Sequence, residues 1–353
     1  MELAVDVMGG DKGCRVVIDG VLKALSSNSG LNKVHLVGNQ DDIDQCLTGS
    51  IGSERNRIQI HHASEVLTME DKPVAALRKK KDCSLTKSID LLREGKAQAL
   101  ISTGNTGGMV AVSTVRLRTL QGIERPAIAT VIPTATSEFV LIDSGATPDC
   151  KPIHLLQFAI MGSIYARKIL GYHKPRVGIL SNGTEEIKGT EVTREALKWI
   201  RETSLEFVGY VEGHDLFTDK VDVVVTDGFT GNVVLKTCES MGKAVVHLLK
   251  TELTATPLTK AGAWLARGGF NRFRETLDSD AYGGAPLLGL NGNIIKAHGS
   301  AGEKAIYNAV RVAMEFVQND VNRIILREIQ EIPGDLRESP NVEPVRSNLN
   351  GSQ

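Results

Sequence analysis

Aromatic residues are scarce in this chain, at 4% of 353 residues, so few side chains could stack on nucleic-acid bases. Charge of one sign is also missing, because the formal net charge of −1 gives no overall field that would attract a polyanion. No apolar run approaches the roughly 18 residues that a membrane-spanning helix needs. These deficits argue against a nucleic-acid-binding protein and against an integral membrane protein.

Cysteine pairs and the common cofactor motifs are absent as well. The five cysteines are scattered, which is typical of a reducing cytosol and argues against a disulfide framework or a zinc site: Cys14, Cys46, Cys83, Cys150 and Cys238. The chain has no Walker loop, no G-x-G-x-x-G after its first strand, no H-E-x-x-H and no G-x-S-x-G elbow. We therefore predict no metal and no cofactor.

What the chain has instead is five short loops rich in Gly, Asn, Ser and Thr, each directly after an apolar, strand-like run. They cover residues 8–11, 103–108, 181–184, 227–232 and 298–300. A polar loop between a strand and a helix exposes backbone N–H groups at the positive end of the helix. If the five loops share one edge of a sheet, they predict an α/β enzyme that binds phosphate or another oxyanion.

Strand-like and helical patterns alternate along most of the chain, which predicts parallel β-α-β units. Strands are predicted at 2–7, 34–38, 58–60, 99–102, 127–133, 139–143, 177–180, 207–211 and 221–226, and helices at 13–26, 39–48, 72–95, 105–120, 152–170, 189–202, 231–250 and 301–330. The runs 127–133 and 139–143 are close enough to pair antiparallel. We predict one α/β catalytic unit over 1–332, formed as a single body or as two lobes, and a disordered tail over 333–353.

The loop that contains Asn182 and Gly183 continues into Glu185-Glu186-Ile187-Lys188-Gly189. Helix capping explains the polar and acidic residues, because carboxylates suit the first turn of a helix. It does not explain Lys188, since a cation near a helix start is electrostatically disfavoured. Lys188 is therefore either an incidental surface residue or a cation that reaches an anion over the loop.

Two further loops have similar alternatives. The loop with Gly228, Thr230, Gly231 and Asn232 is either a capping turn or a site where the Asn232 amide donates to an oxyanion. His298 follows a strand-like run and is either a core histidine or a residue of the same site.

The segment 257–277 differs from the rest of the chain, because bulky apolar residues and arginines are concentrated there. Its apolar members are Leu258, Trp264, Leu265, Phe270, Phe273 and Leu277, and its arginines are Arg267, Arg272 and Arg274. We expect a protruding helical hairpin at about 253–280, broken at Gly268-Gly269. It would contact a membrane or a partner, or it would be an amphipathic pair buried between subunits.

Taken in order, the motifs AVDVMGGD at 4–11, GNTGG at 104–108, RPA at 125–127, EEIKG at 185–189, DGFTGN at 227–232 and KAHGS at 296–300 closely resemble the bacterial acyl-ACP:phosphate acyltransferases of phospholipid synthesis. The resemblance covers about residues 2–325. It implies a three-layer α/β/α fold with a mostly parallel sheet, similar to phosphotransacetylases and to isocitrate and isopropylmalate dehydrogenases. It also implies a homodimer that converts long-chain acyl-ACP and inorganic phosphate to acyl phosphate and free ACP.

Site roles follow from the resemblance together with the chemistry. Lys188 would neutralise phosphate and Asn232 would donate to the oxyanion. The remaining substrate-binding residues would be Gly104, Asn105, Thr106, Gly107, Gly108, Asn182, Gly183, Gly228, Thr230, Gly231 and His298. The arginines of 257–277 would contact acidic ACP or anionic lipid. The product would then pass to a membrane glycerol-3-phosphate acyltransferase, so we expect a cytoplasmic protein at the inner face of the membrane.

Three alternative functions are compared with this one. A phosphotransacetylase-like enzyme acting on short acyl-CoA would share the fold but would not need the apolar segment 257–277. A non-enzymatic scaffold that docks ACP at the membrane would not need Lys188 and Asn232 in loops at the strand ends. An isocitrate-type dehydrogenase would need a metal-binding carboxylate cluster, and the sequence offers no clear one.

Overall fold

The computed structural model describes residues 1–48, 53–68, 70–71, 79–276 and 282–332. Within them the strands are β1 (Glu2–Asp6), β2 (Lys33–Gly38), β3 (Ile58–His62), β4 (Ala99–Ser102), β5 (Ala127–Pro133), β6 (Glu138–Ile142), β7 (Arg176–Leu180), β8 (Glu206–Val211), β9 (Val223–Val225), β10 (Ala285–Leu288) and β11 (Asn293–Lys296). The α-helices are α1 (Gly13–Ser27), α2 (Gln40–Leu47), α3 (Ser84–Arg93), α4 (Thr106–Leu117), α5 (Pro152–Lys168), α6 (Glu191–Arg201), α7 (Gly228–Leu253), α8 (Pro257–Leu265), α9 (Arg267–Thr276), α10 (Glu303–Gln318) and α11 (Val321–Gln330). Short 3₁₀ turns lie at Ser53–Arg57 and Asp215–Phe217.

These strands form one sheet of 11 strands in the order β3-β2-β1-β4-β11-β10-β5-β6-β9-β7-β8. The neighbouring pairs β3–β2, β2–β1, β1–β4 and β4–β11 are parallel, and so are β6–β9, β9–β7 and β7–β8. Between them the pairs β11–β10, β10–β5 and β5–β6 are antiparallel, as predicted for the last of these. Three reversals leave β6, β9, β7 and β8 running opposite to β1, β4 and β11.

Helices cover both faces of the sheet because successive side chains of its strands point to opposite sides. Leu3 and Val5 of β1 pack in one core cluster with α1 and α10, whereas Ala4 packs in another with α3 and α4. In the other half, Val140 packs in the cluster that contains α5, and Leu141 in a smaller cluster on the far face. The predicted α/β/α layering is confirmed.

Helix α5 is buried around almost its whole circumference, as expected for a helix without a polar face. Helix α7 differs sharply, since Gly228 and Gly231 in its first turn are its buried residues. Val234 and Leu235 of α7 pack against the sheet, while Met241 and Leu248 are exposed. This long helix therefore lies loosely over the sheet and leaves room beneath it.

Most predicted elements are present, and four differ. The predicted helix 72–95 is a helix at Ser84–Arg93, and 72–78 lie outside the described residues. The predicted helix 301–330 is two helices, because Asp320 adopts a left-handed φ of 49° between them. Strand β10 was not predicted, and the break in 257–277 falls at Ala266 rather than at the two glycines. The tail 333–353 lies outside the described residues.

Candidate functional site

The five polar loops do not share one edge of the sheet, so that prediction is wrong. The loops after β1, β4 and β11 lie at one edge, because these strands are parallel neighbours. The loops after β7 and β9 follow strands of the opposite direction. The antiparallel strands β10, β5 and β6 cause the reversal, and local sequence periodicity does not report the order of strands.

At the first edge the loops after β1 and β4 are in direct contact. A Cβ atom on Gly9 would lie 2.5 Å from Cα of Gly104, so this close approach of the two backbones requires glycine at position 9. Asp6 supports this contact, because its carboxylate accepts from Ser102 Oγ at 2.9 Å and from the Met8 backbone N–H at 3.3 Å. Burial raises the pKa of Asp6. These residues hold the start of α4 beside the end of β11.

At the second edge the buried carboxylate of Asp143 organises the loop after β6. It accepts backbone N–H groups from Ile128 at 2.8 Å, Gly145 at 3.1 Å and Thr147 at 2.6 Å. Burial raises the pKa of Asp143, and these N–H donors act in the opposite direction by favouring the carboxylate. The start of α7 packs directly on this loop, since a Cβ on Gly231 would lie 1.9 Å from the Asp143 carbonyl oxygen.

Helix α7 connects the two edges. Asp227 caps the helix at the second edge by accepting from the Thr230 backbone N–H at 2.8 Å. About two turns further along α7, Lys236 Nζ lies 3.3 Å from His298 Nε2 in the loop after β11. The helix thus crosses the face of the sheet, and groups from both sets of loops meet beneath it.

The space beneath α7 is a cavity of about 1310 Å³. Its polar lining residues include Thr106 at the start of α4, Ser144 after β6, Asn232, Lys236, Glu239, Lys243, His247 and Lys250 on α7, and Lys296, His298 and Ser300 around the end of β11. Its apolar lining residues include Ile128, Val131, Ile132 and Pro133 of β5, Phe217 of the second 3₁₀ turn, Leu235, Met241, Val245 and Val246 of α7, and Phe273 of α9. The cavity therefore offers cationic and amide groups together with a long apolar surface.

The cations in the cavity perturb each other. Burial, and after it the neighbouring charge of Lys236, lower the pKa of Lys296 to about 8, although Asp11 and Asp6 act in the opposite direction. Burial also lowers the pKa of His298, as does Lys236. Because an ammonium can only donate, neutral His298 accepts from Lys236 at Nε2, and its Nδ1 lies 2.8 Å from Ser300 Oγ and 3.2 Å from the Ser300 backbone N.

Several predicted site residues come together in this cavity. Asn232, Thr106 and His298 all line it. Asn105 caps α4 by accepting the Gly108 backbone N–H at 2.8 Å, so it orients the helix start that carries Thr106.

Lys188 does not contribute to the cavity lining within the chain. It lies in the loop after β7, where its backbone N–H donates to the Glu185 carbonyl at 2.9 Å. The Lys188 side chain packs on Gly183, since a Cβ atom added to Gly183 would lie 2.8 Å from Lys188 Cγ. Asn182 Oδ1 accepts the Gly189 N–H at 3.2 Å and stabilises the same loop. The role of Lys188 stays a prediction.

Sequence reasoning missed Lys236, Lys296 and Asp143. Two signals were available. Lys236 follows Asn232 by four residues, a spacing that puts both on one helix face, and Lys296 opens the motif KAHGS. Asp143 had no such signal, because its role depends on backbone groups that only the folded chain brings together.

The helices α8 and α9 carry the apolar and basic residues of 257–276. Leu258 is 83% exposed, Leu265 77% and Trp264 64%, and the Arg267 guanidinium lies 5.2 Å from the centre of the Trp264 ring. Phe273 is less exposed and lines the cavity. Leu277 and the side chain of Arg274 lie outside what is described. No helix in the described part of the chain has both the length and the apolar character needed to cross a bilayer.

Comparison with solved structures identifies the fold class. A phosphotransacetylase from Streptococcus pyogenes matches with a TM-score of 0.60 and 17% identity, over 90% of this chain and 94% of that one. A branched-chain phosphotransacylase from Enterococcus faecalis V583 matches with a TM-score of 0.53 and 15% identity, over 90% and 99%. The chain thus has a phosphotransacetylase-like α/β fold, as predicted.

Sequence comparison is more specific. The family model described as "Fatty acid synthesis protein" matches residues 1–324. The phosphate acyltransferase of Geotalea uraniireducens is 45% identical over 331 residues, or 94% of this chain and 95% of the relative. That of Akkermansia muciniphila is 44% identical over 350 residues, or 98% and 100%. The chain belongs to this family of acyltransferases, and the predicted family and enzyme class are confirmed.

Proposed function

We propose that the chain catalyses attack of inorganic phosphate on the thioester of a long-chain acyl-ACP, which yields acyl phosphate and free ACP for phospholipid synthesis. The observation that carries the proposal is the single cavity that combines Asn232, Lys236 and His298 with an extended apolar wall. Phosphate and a thioester carbonyl need the polar groups, and a long acyl chain needs the wall. The names of the relatives support phosphate as the acceptor.

The reaction balances without a cofactor. An oxygen of hydrogen phosphate forms a bond to the thioester carbon, and the tetrahedral intermediate carries an oxyanion. The C–S bond then breaks, and the thiolate leaves with the proton that the phosphate gives up. A thiol with an ordinary pKa of about 8.5 is a fair leaving group, so positioning and oxyanion stabilisation supply most of the catalysis.

Asn232 is the proposed oxyanion donor. It lies in the first turns of α7, beside Gly145 of the loop that Asp143 holds in place. A neutral amide at this position can donate to the carbonyl oxygen as negative charge develops there. The apolar wall of β5 and α7 is the proposed binding surface for the first part of the acyl chain.

The proposal extends to the surroundings of the enzyme. It acts as a cytoplasmic homodimer, peripherally attached to the inner face of the membrane, and passes acyl phosphate to a glycerol-3-phosphate acyltransferase. The exposed Leu258, Trp264 and Leu265 support a peripheral contact, because exposed apolar side chains grouped on one helix mark an interaction site more often than scattered ones do. Arg267 and Arg272 would contact acidic ACP or anionic lipid.

The test is to mix the purified protein with palmitoyl-ACP and phosphate and to measure acyl phosphate by mass spectrometry and free ACP thiol by titration. Both products should appear together and only when phosphate is present. Palmitoyl-CoA serves as the alternative donor. Acyl phosphate from the CoA thioester but not from acyl-ACP would favour a phosphotransacetylase-like enzyme, and no acyl phosphate from either donor would favour a scaffold.

A further inference from the structure

Lys296 is a cation without an anionic partner in the described part of the chain. It ends β11 and lines the cavity beneath α7. Its ammonium donates to the adjacent carbonyl of Ala297, and no carboxylate of the described residues forms an ion pair with it. A partly buried ammonium is costly unless a negative charge compensates it. Its environment therefore favours an anion that is not part of the protein.

The nearest carboxylates do not remove this requirement. Asp6 and Asp11 act on Lys296 through space and raise its pKa. Asp6, however, is already bonded to Ser102 Oγ and to the Met8 N–H at the end of β1. The net effect of the surroundings is still to lower the pKa of Lys296, because burial and the charge of Lys236 outweigh the two aspartates.

Lys236 approaches the same end of the cavity from α7. Its ammonium lies 3.1 Å from Glu239 Oε2 and 3.3 Å from His298 Nε2, and its side chain is 53% exposed. Glu239 thus forms an ion pair with Lys236, whereas no described carboxylate forms one with Lys296. Two like charges held close enough to perturb each other are an unfavourable arrangement that a shared anion would relieve.

We propose that Lys236 and Lys296, together with His298 of the same cavity, bind the inorganic phosphate that attacks the thioester. This assignment rests on the proposed function and specifies where its acceptor substrate lies. It gives Lys188 no direct contact with phosphate from within the same chain.

The start of α4 supports the same location. Thr106 is the first residue of this 12-residue helix and lines the cavity, and Asn105 caps the helix. The positive end of a helix adds a further favourable interaction for an anion. Phosphate held by Lys236 and Lys296 would have Asn232 on the same side of α7, one turn before Lys236, where the thioester oxygen must lie.

The experiment measures phosphate binding directly, without an acyl donor, by isothermal titration calorimetry. Lys236→Gln and Lys296→Gln should each weaken the binding of inorganic phosphate by about tenfold or more, the loss expected for one charge-assisted hydrogen bond. Lys198→Gln is the matched control, because it removes one exposed lysine from α6, and it should bind phosphate as the wild type does. If both cavity variants bind phosphate normally, the assignment is wrong.

Steady-state kinetics separate two sources of the same chemistry. The KM for phosphate should rise about tenfold in both variants while the KM for acyl-ACP stays constant. If the KM for acyl-ACP rises instead, the lysines bind the phosphodiester of the carrier's prosthetic arm, and the proposal is overturned. Lys236 is half-exposed, so its variant should fold even if Lys296→Gln does not, and Lys296→Met offers an apolar replacement of similar length.

A pH series adds a second readout. Lys236, Asp6 and Asp11 are the charged groups that face Lys296, and its pKa of about 8 means that it loses its proton as the pH rises through that value. Phosphate affinity of the wild type should therefore fall between pH 7 and 9, and this fall should be smaller in Lys296→Gln. An identical fall in both proteins would contradict the role of Lys296. If phosphate binds as proposed but no acyl phosphate forms, the anion site stands and the proposed function fails.

Discussion

Asn232 and Lys188 were predicted from the same kind of evidence, a polar residue in a loop after a strand, and the fold separates them. Asn232 lines the cavity, whereas Lys188 packs on Gly183 in its own loop. The sequence could predict that both loops follow strands. It could not predict which of them faces the cavity, because that depends on strand order and on the path of α7.

Asn232→Ala should lower kcat by about a hundredfold or more with little loss of thermal stability, the size expected when one oriented oxyanion donor is removed. Val233→Ala is the matched control on the same helix, since Val233 is half-exposed and does not line the cavity. Lys188→Ala, measured in parallel, tests the predicted cation. A loss of kcat in Lys188→Ala comparable to that in Asn232→Ala would retain Lys188 in the mechanism. Near-normal turnover of Lys188→Ala would leave the binding of phosphate to Lys236 and Lys296. Normal turnover of Asn232→Ala would remove this residue from the mechanism.

At the scale of elements, α7 shows what periodicity can and cannot report. The apolar spacing predicted a helix over 231–250, and the helix is present as Gly228–Leu253. Its weak contact with the sheet was not predictable, because Val234 and Leu235 look no different in sequence from residues that are fully buried. The cavity exists because this helix touches the sheet at few points.

The helical hairpin α8–α9 was predicted as two helices, and two helices are present. The break falls at Ala266, whose φ of −87° and ψ of 5° end α8, and the glycines at 268 and 269 lie in the first turn of α9. Phe273 belongs to the cavity lining, so a change there would disturb the catalytic site as well as any membrane contact. Leu258 and Leu265 are better probes of the surface.

Leu258→Glu combined with Leu265→Glu should release the protein from anionic vesicles in a flotation assay while activity on soluble acyl-ACP persists. The reason is that two exposed apolar side chains would enter the interface, and interfacial arginines add roughly 1 kcal/mol each. Binding of the wild type should weaken with salt, because exposed charges are screened.

Lys198→Glu is the charge-matched control for this double variant, since it also lowers the net charge by two but lies on α6. It should float with the vesicles as the wild type does. Dissociation of the double variant into monomers, seen by sedimentation, would identify the hairpin as a subunit interface and exclude the membrane contact.

For the whole molecule, the sequence predicted the class of fold but not the arrangement of its two halves. Parallel β-α-β units are local and leave a local signal, whereas β10 is a four-residue strand that contains Pro286 and pairs with β5 far away in sequence. The net reversal of strand direction arises at the predicted antiparallel pair β5–β6, and the unpredicted β10 joins the two halves by pairing with β11 and β5. Both halves consequently contribute to one cavity, in which phosphate and thioester would bind together.

A shared cavity for both substrates predicts sequential kinetics rather than a covalent acyl-enzyme. Cys238 is the candidate nucleophile for a covalent acyl-enzyme, because it lines the cavity. The scattered spacing of the cysteines in the sequence did not indicate this position. Burial raises the pKa of the Cys238 thiol, as does the charge of Glu239, so the nucleophilic thiolate is disfavoured.

Cys238→Ala, and a variant with all five cysteines replaced by Ala or Ser, should therefore retain kcat within about twofold, since direct attack by phosphate needs no thiol. Double-reciprocal plots of the initial rate against phosphate concentration, measured at several acyl-ACP concentrations, should give intersecting lines. Parallel lines, or an acyl group found on Cys238 by mass spectrometry after incubation with palmitoyl-ACP alone, would show that the transfer proceeds through the enzyme.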